Sequence, residues 1–221
     1  MEVAGYTKSF SLDQGGILGN DQTFQALFDA PLSDAKRGGI CMGLSLIWLA
    51  RRMMFHNESA EQRAASLISG PGFRWGGRTQ DIHNDSPAAG TGWRDYLDTM
   101  LSEALRAYVL RILPATISEG RHSDSAGDAD LMWAPARDAG SYVLHYIWLT
   151  DRGSSVGHWT ASYTSHGTLG RNRHFYHFDP NMGEYRVGTD QAPAYLKGWV
   201  ESYANAFQGI NHVCSVELDR G

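Results

Sequence analysis

Three short stretches of this sequence hold side chains suited to acyl-transfer chemistry. Cys41 stands at the front of an apolar run, Gly38-Gly39-Ile40-Cys41-Met42-Gly43-Leu44-Ser45-Leu46-Ile47-Trp48-Leu49. Far downstream come Gly157-His158-Trp159 and then Phe178-Asp179-Pro180-Asn181. In chain order they supply a thiol, an imidazole and a carboxylate. A thiol is a good nucleophile only as thiolate, and a helix N-terminus favours that negative charge. An imidazole within hydrogen-bond reach takes the proton, and a third group fixes the ring. Each residue taken singly has a plainer reading: a buried core thiol, a half-buried strand histidine, an Asp-Pro-Asn turn. Their joint order is what points to nucleophilic catalysis.

The elements that would position them follow from periodicity. Residues 41 to 55 read as a mostly buried helix starting at the cysteine, with Arg51 and Arg52 near its C-terminal end, as the macrodipole prefers. Residues 1 to 37 read as a loose approach with a short helix near residues 21–28, capped by Asp21. Glu61 to Ile68 forms a short helix, while Gly70-Pro71-Gly72 and Gly76-Gly77 mark turns. Residues 92 to 113 give the clearest amphipathic helix, through Tyr96, Leu97, Met100, Leu101, Leu105, Tyr108, Val109 and Ile112, stopped by Pro114. Residues 118 to 130 read as a solvated loop. From about residue 141 the period becomes that of strands: 142–149, 158–163, 174–179, 183–187 and 212–218, with a helix over 192–207. Helices first and hairpin-linked strands after is the α+β order. With His158 opening one strand and Asp179 closing the next, antiparallel pairing through a hairpin around Gly167 to Asn172 makes the two neighbours.

The chain has 221 residues, enough for one sizeable domain, divided here into the approach segment 1–37, a mainly helical 41–113 and a mainly antiparallel 141–221 with one helix. Net charge is −5 with no polybasic arm, so nucleic acid is not an expected partner. No stretch reads as a secretory signal or an integral membrane segment, which predicts a soluble protein. Two cysteines are no secreted disulfide framework, and Cys214 lies in an alternating terminal strand.

The blocks around Cys41, Gly157-His158 and Phe178-Asp179-Pro180-Asn181-Met182-Gly183-Glu184-Tyr185 resemble the YopT/AvrPphB-type cysteine peptidases, bacterial effector proteases of the papain-like clan. The resemblance covers the active-site framework and leaves residues 56 to 140 unmatched. It implies an α+β papain-like fold, with Cys41 as nucleophile, His158 as base and acid, and Asp179 as the orienting acid. It also implies a thiol endopeptidase needing no cofactor, acting as an effector or toxin on a protein of a host or target cell. Delivery would be by a non-classical bacterial secretion system, with the cytoplasm as the other location, and a secretion chaperone or an immunity protein as further partners. The family's oxyanion donor is a side-chain amide shortly before the nucleophile. Here Asp34-Ala35-Lys36-Arg37-Gly38-Gly39 holds no Asn or Gln. The Cys41 N–H is one natural donor; Gln22, ahead of Gln14 and Asn20, is the candidate second.

Other readings stay open on the same residues. A glutamine deamidase, transglutaminase or acyltransferase shares the acyl-enzyme and differs only in leaving group and acceptor. A non-catalytic interaction module would keep the fold alone. Trp159, beside the candidate base, is a candidate wall of the substrate groove, with core packing as the alternative. His174, His177 and Asp179 invite a zinc reading, but residues 174 and 177 point to opposite faces of a regular strand, and no metal is expected.

Overall fold

The computed structural model describes residues 1–20, 39–85, 101–113, 117–120, 124–169 and 171–221. In chain order the described elements are β1 (Lys8–Ser11), α1 (Gln14–Leu18), α2 (Cys41–Met54), α3 (Ala60–Ile68), α4 (Gly70–Asp85), α5 (Ser102–Arg106), β2 (Leu110–Ile112), β3 (Ser118–Gly120), α6 (Ser125–Ala136), β4 (Tyr142–Asp151), β5 (Ser154–Thr164), β6 (His174–Asp179), β7 (Gly183–Gly188), α7 (Ala192–Ala206) and β8 (Ile210–Arg220). The strands form one antiparallel sheet in the order β1-β7-β6-β5-β4-β8-β2, with β3 also on β8. No described helix is long and apolar enough to cross a membrane.

Strand alternation divides the sheet into two chemically different faces. One carries Leu144, Trp159, Ala161, Phe178 and Val216 and packs on α2. Helix α2 is buried along most of its length, with the Trp48 indole stacked on Phe178 at 5.7 Å. The other face carries Val143, Ile147, Phe175, Tyr185 and Val213 and packs on α6 and α7. His145, His158, Thr160, Ser162, His177 and Asp179 share this second face, so a polar row runs beneath α7. Its buried groups are paired as burial demands: His145 with Ser215 and Ser162, His177 with Tyr195 and Thr160.

The helix at Cys41, the 60–68 helix and the C-terminal strands and helix lie where the sequence pattern puts them, and the architecture is the expected α+β one. Four local expectations give way. Gly70, Gly72, Gly76 and Gly77 sit inside or at the start of helix α4 rather than in turns. The reason is proximity: a Cβ on Gly43 of α2 would lie 2.0 Å from the Gly76 carbonyl oxygen, so α2 and α4 meet backbone to backbone. The helix expected over 92–113 is helical in the described part only to Arg106. Val109 then takes a positive φ of 56°, and Leu110–Ile112 pairs with Leu218–Arg220 of β8. Apolar residues at 110 and 112 suit a strand as well as a helix, and the free β8 edge decides. The loop expected over 118–130 contains β3 and the first turns of α6, whose cap is the Asp124 carboxylate accepting from Gly127 N at 2.8 Å. Residues 8–18 form β1 and α1 instead of a loose approach. The helix expected near residues 21–28 lies outside the described residues, as do 92–100 and Pro114.

Candidate active site

Cys41 is the first residue of α2, 7 % exposed, at a helix start that no side chain caps. The chain reaches it through Gly39, whose φ of 120° suits glycine, and through Ile40, whose N–H donates to Gln14 Oε1 at 3.1 Å. His158 is the fifth residue of β5, since that strand starts at Ser154 rather than at the histidine. Pairing of β5 with β6 ends at Ala161 opposite Phe178, so His158 projects past the end of β6. Asp179, the last residue of β6, stands on the same face. The two side chains meet there, His158 Nε2 to Asp179 Oδ1 at 2.9 Å. Cys41 comes from the helix on the opposite face and lines the same cavity as His158, near enough to favour the charged imidazole. With Nε2 held by the carboxylate, Nδ1 is the nitrogen left for the sulfur.

Asp179 is wholly buried and every lone pair has a use. Oδ1 accepts from His158 Nε2 and from Asn181 N at 2.8 Å; Oδ2 accepts from Trp199 Nε1 at 2.9 Å and Tyr203 Oη at 2.8 Å. Burial alone would raise this carboxyl, but the His158 charge and hydrogen bond and the Asn181 N–H hold it below its usual range. Burial likewise disfavours the imidazolium, yet the Asp179 carboxylate, its hydrogen bond and Cys41 push His158 up to about 10. The site thus favours the charged form of His158, the form that accepting a proton from the thiol would give.

A cavity of ≈ 110 Å³ opens over these groups, lined by Cys41, His158, Gly157, Asn181 and Tyr203, by Gln14, Gly15 and Leu18 of α1 and its approach, and by Leu149, Val156, Gly39 and Phe207. Gln14 links its parts. Its Nε2 donates to Asn181 Oδ1 at 3.0 Å, and its Oε1 receives the Ile40 N–H just before the nucleophile. Of the amides that sequence puts forward, Gln14 reaches the cavity; Gln22 lies outside the described residues.

Trp159 is not in that cavity. As the strand neighbour of His158 it points to the opposite face, where it is 3 % exposed and packs on Tyr146 at 4.7 Å. Of the two readings of Trp159, core packing is the one its place on the strand gives. Cys214 is a buried free thiol on β8, raised to about 12 by burial and then by Glu119, hence unreactive. His177 has both ring nitrogens engaged, and His174 faces the other way, beside Arg186. Sequence reasoning missed Tyr203, Trp199 and Asn181 as parts of the site. For the two aromatic residues a signal was present in the four-residue spacing of Tyr195, Trp199 and Tyr203, which puts them on one stripe of α7.

An antiparallel sheet with the thiol on a helix tip and the imidazole and carboxylate on adjoining strands is a papain-like α+β fold. The chain is similar to the cysteine protease avirulence protein AvrPphB of Pseudomonas savastanoi pv. phaseolicola, at 26 % identity over 181 residues, which is 80 % of this chain and 62 % of the relative. It therefore spans less than two thirds of that protein's length. The crystal structure of Pseudomonas avirulence protein AvrPphB superposes with a TM-score of 0.64 at 22 % identity, covering 88 % of this chain and 98 % of the other. No family model matches the chain. The resemblance carried by the three motif blocks thus extends across most of the sequence and through the fold.

Proposed function

We propose that the chain is a thiol endopeptidase acting through Cys41, His158 and Asp179. The observation that carries this reading is the buried imidazole fixed at Nε2 by a fully hydrogen-bonded carboxylate, in one cavity with a thiol at a helix tip. His158 takes the Cys41 proton and the thiolate–imidazolium pair forms. The sulfur attacks the scissile carbonyl carbon; its oxygen becomes the oxyanion, received by the Cys41 N–H and by the Gln14 side-chain amide, which has a second N–H beyond the one given to Asn181. His158 protonates the leaving amine, and water, deprotonated by His158, releases the acyl-enzyme. Asp179 stays ionised throughout and holds the ring. The avirulence name of the similar Pseudomonas protein supports a protein substrate belonging to another cell.

The test is a comparison of wild type with Cys41→Ala on a whole-cell protein extract, read as new protein N-termini. New N-termini with wild type alone are expected. Their absence, with glutamines deamidated or acylated in a Cys41-dependent way, would assign the same residues to a different acyl transfer. No Cys41-dependent change at all would leave only an interaction module.

A further inference from the structure

We infer that Tyr203 is a positioning residue of the site, holding both His158 and Asp179; this rests on the peptidase reading above. Its hydroxyl donates to Asp179 Oδ2 at 2.8 Å and lies 2.9 Å from His158 Nε2. Since its one proton is given to the carboxylate, it faces the imidazole as an acceptor, and the Nε2–H is shared between Asp179 Oδ1 and Tyr203 Oη. Asn181 Nδ2 fills the remaining lone pair at 3.3 Å. The phenol ring lies nearly parallel to the imidazole, with centroids 5.2 Å apart and planes at 25°. Phe207 continues the stack at 5.9 Å and 7°.

This arrangement does two things that the carboxylate cannot do alone. A single Asp179 oxygen fixes the position of Nε2 but leaves the ring free to swing about that bond. A second acceptor beside it, with an aromatic face over the ring, removes the swing and keeps Nδ1 toward the sulfur. The hydroxyl also anchors Oδ2, so the carboxylate cannot rotate away from the imidazole. Burial and the neighbouring Asp179 charge keep the phenol protonated, and so always a donor to the carboxylate. Tyr195, about two turns earlier and equally buried, hydrogen-bonds through its hydroxyl with His177 instead and touches neither His158 nor Asp179 through it.

That neighbour supplies the control. Cys41 alkylation by iodoacetamide is followed against pH in wild type, Tyr203→Phe and Tyr195→Phe, together with solvent exchange of the His158 Nε2–H proton by NMR. In Tyr203→Phe the acid limb of alkylation should move up by about one pH unit, slowing labelling roughly fivefold at the wild-type midpoint and about tenfold well below it. The Nε2–H should exchange at least about tenfold faster. Tyr195→Phe should leave both readings at wild-type values. Superimposable curves for Tyr203→Phe and wild type overturn the inference; so do equal shifts in the two variants, which would mean a general cost of losing a buried hydroxyl. A wild-type thiol with no acid limb below the ordinary thiol range would count against the peptidase reading, while proton exchange still decides the role of Tyr203.

Discussion

Two carboxylates stand within a few residues of each other on adjoining strands, each fully buried and each taking an indole N–H, and they differ in what faces them. Asp179 closes β6 on the face under α7, with Trp199 donating at 2.9 Å and His158 as its cationic partner. Glu184 is the second residue of β7, on the α2 face, with Trp48 donating at 2.8 Å. Its partners are permanent cations: Arg63 in a two-pronged contact at 2.7 and 2.8 Å, and Arg52 at 3.2 Å. Arg52 also lies over the Tyr176 ring at 3.8 Å. A guanidinium keeps its charge throughout the working range, so the Glu184 pairs are fixed links between α2, α3 and the sheet. An imidazole exists both with and without its second proton, so the Asp179 pair, unlike the Glu184 pairs, has a proton that can move. The comparison teaches that burial and hydrogen bonding alone do not make a reactive centre. The titration range of the partner does.

The difference is open to direct attack. Asp179→Asn presents an amide N–H to groups that already donate, and it removes the counter-charge of His158. On the proposed peptidase reading, activity should fall about a thousandfold, measured as initial rates on a cleaved target. Glu184→Gln leaves Arg52 and Arg63 buried without a full counter-charge. It should cost about 3–5 kcal/mol of stability in urea unfolding, while the folded fraction still alkylates at Cys41. If the two losses were exchanged, with Glu184→Gln chiefly catalytic and Asp179→Asn chiefly structural, the contrast would collapse. Gly43→Ala drives a methyl into the Gly76 carbonyl, where only backbone could yield. We expect about 1–3 kcal/mol of destabilisation, with the loss in activity tracking the tilt of α2.

The smallest expected effect is a slope. Burial holds His177 down to about 4, with His158 adding to the shift and Asp179 opposing it, and burial holds His145 well below its ordinary range. Both stay neutral when folded but take protons when unfolded. Their contribution is therefore complete above about pH 6.5 and is lost as pH falls from there toward about 4 for His177. His158 has the opposite sign: raised to about 10, it stabilises fully below about 6.5, and that share is lost as pH climbs through about 10. Urea midpoints between pH 7 and pH 4.5 should fall in wild type and fall less in His177→Asn. An unchanged acid slope in that variant would remove His177 from the account.

Much of this was legible in the residues. The apolar run after Cys41 can only be a buried helix, and the alternating stretches after residue 141 can only be strands. The Gly-rich segment 70–77 was illegible because glycine signals a turn and a helix–helix contact alike. Helix α6 hides its period behind Gly127 and Pro135, although Asp124 and the buried Asp128, Ala129, Met132 and Ala136 mark it. Strand β1 is four residues long and exists because β7 offers it an edge. At the site, residue types name the thiol, imidazole and carboxylate. The spacing of Trp199 and Tyr203 puts both on one stripe of α7, but which strand end that stripe meets, and that Gln14 joins them there, is set by tertiary placement.

The Glu184 cluster has one more effect, at a distance from itself. Trp48 sits seven residues beyond Cys41 along α2, about 10 Å of helix rise. The indole N–H gripped by Glu184 is thus the fulcrum of a lever whose far end is the sulfur. A tilt of about 5° at the fulcrum would carry the sulfur roughly 1 Å off its line to the imidazole, a displacement of the size that costs a reaction about a hundredfold.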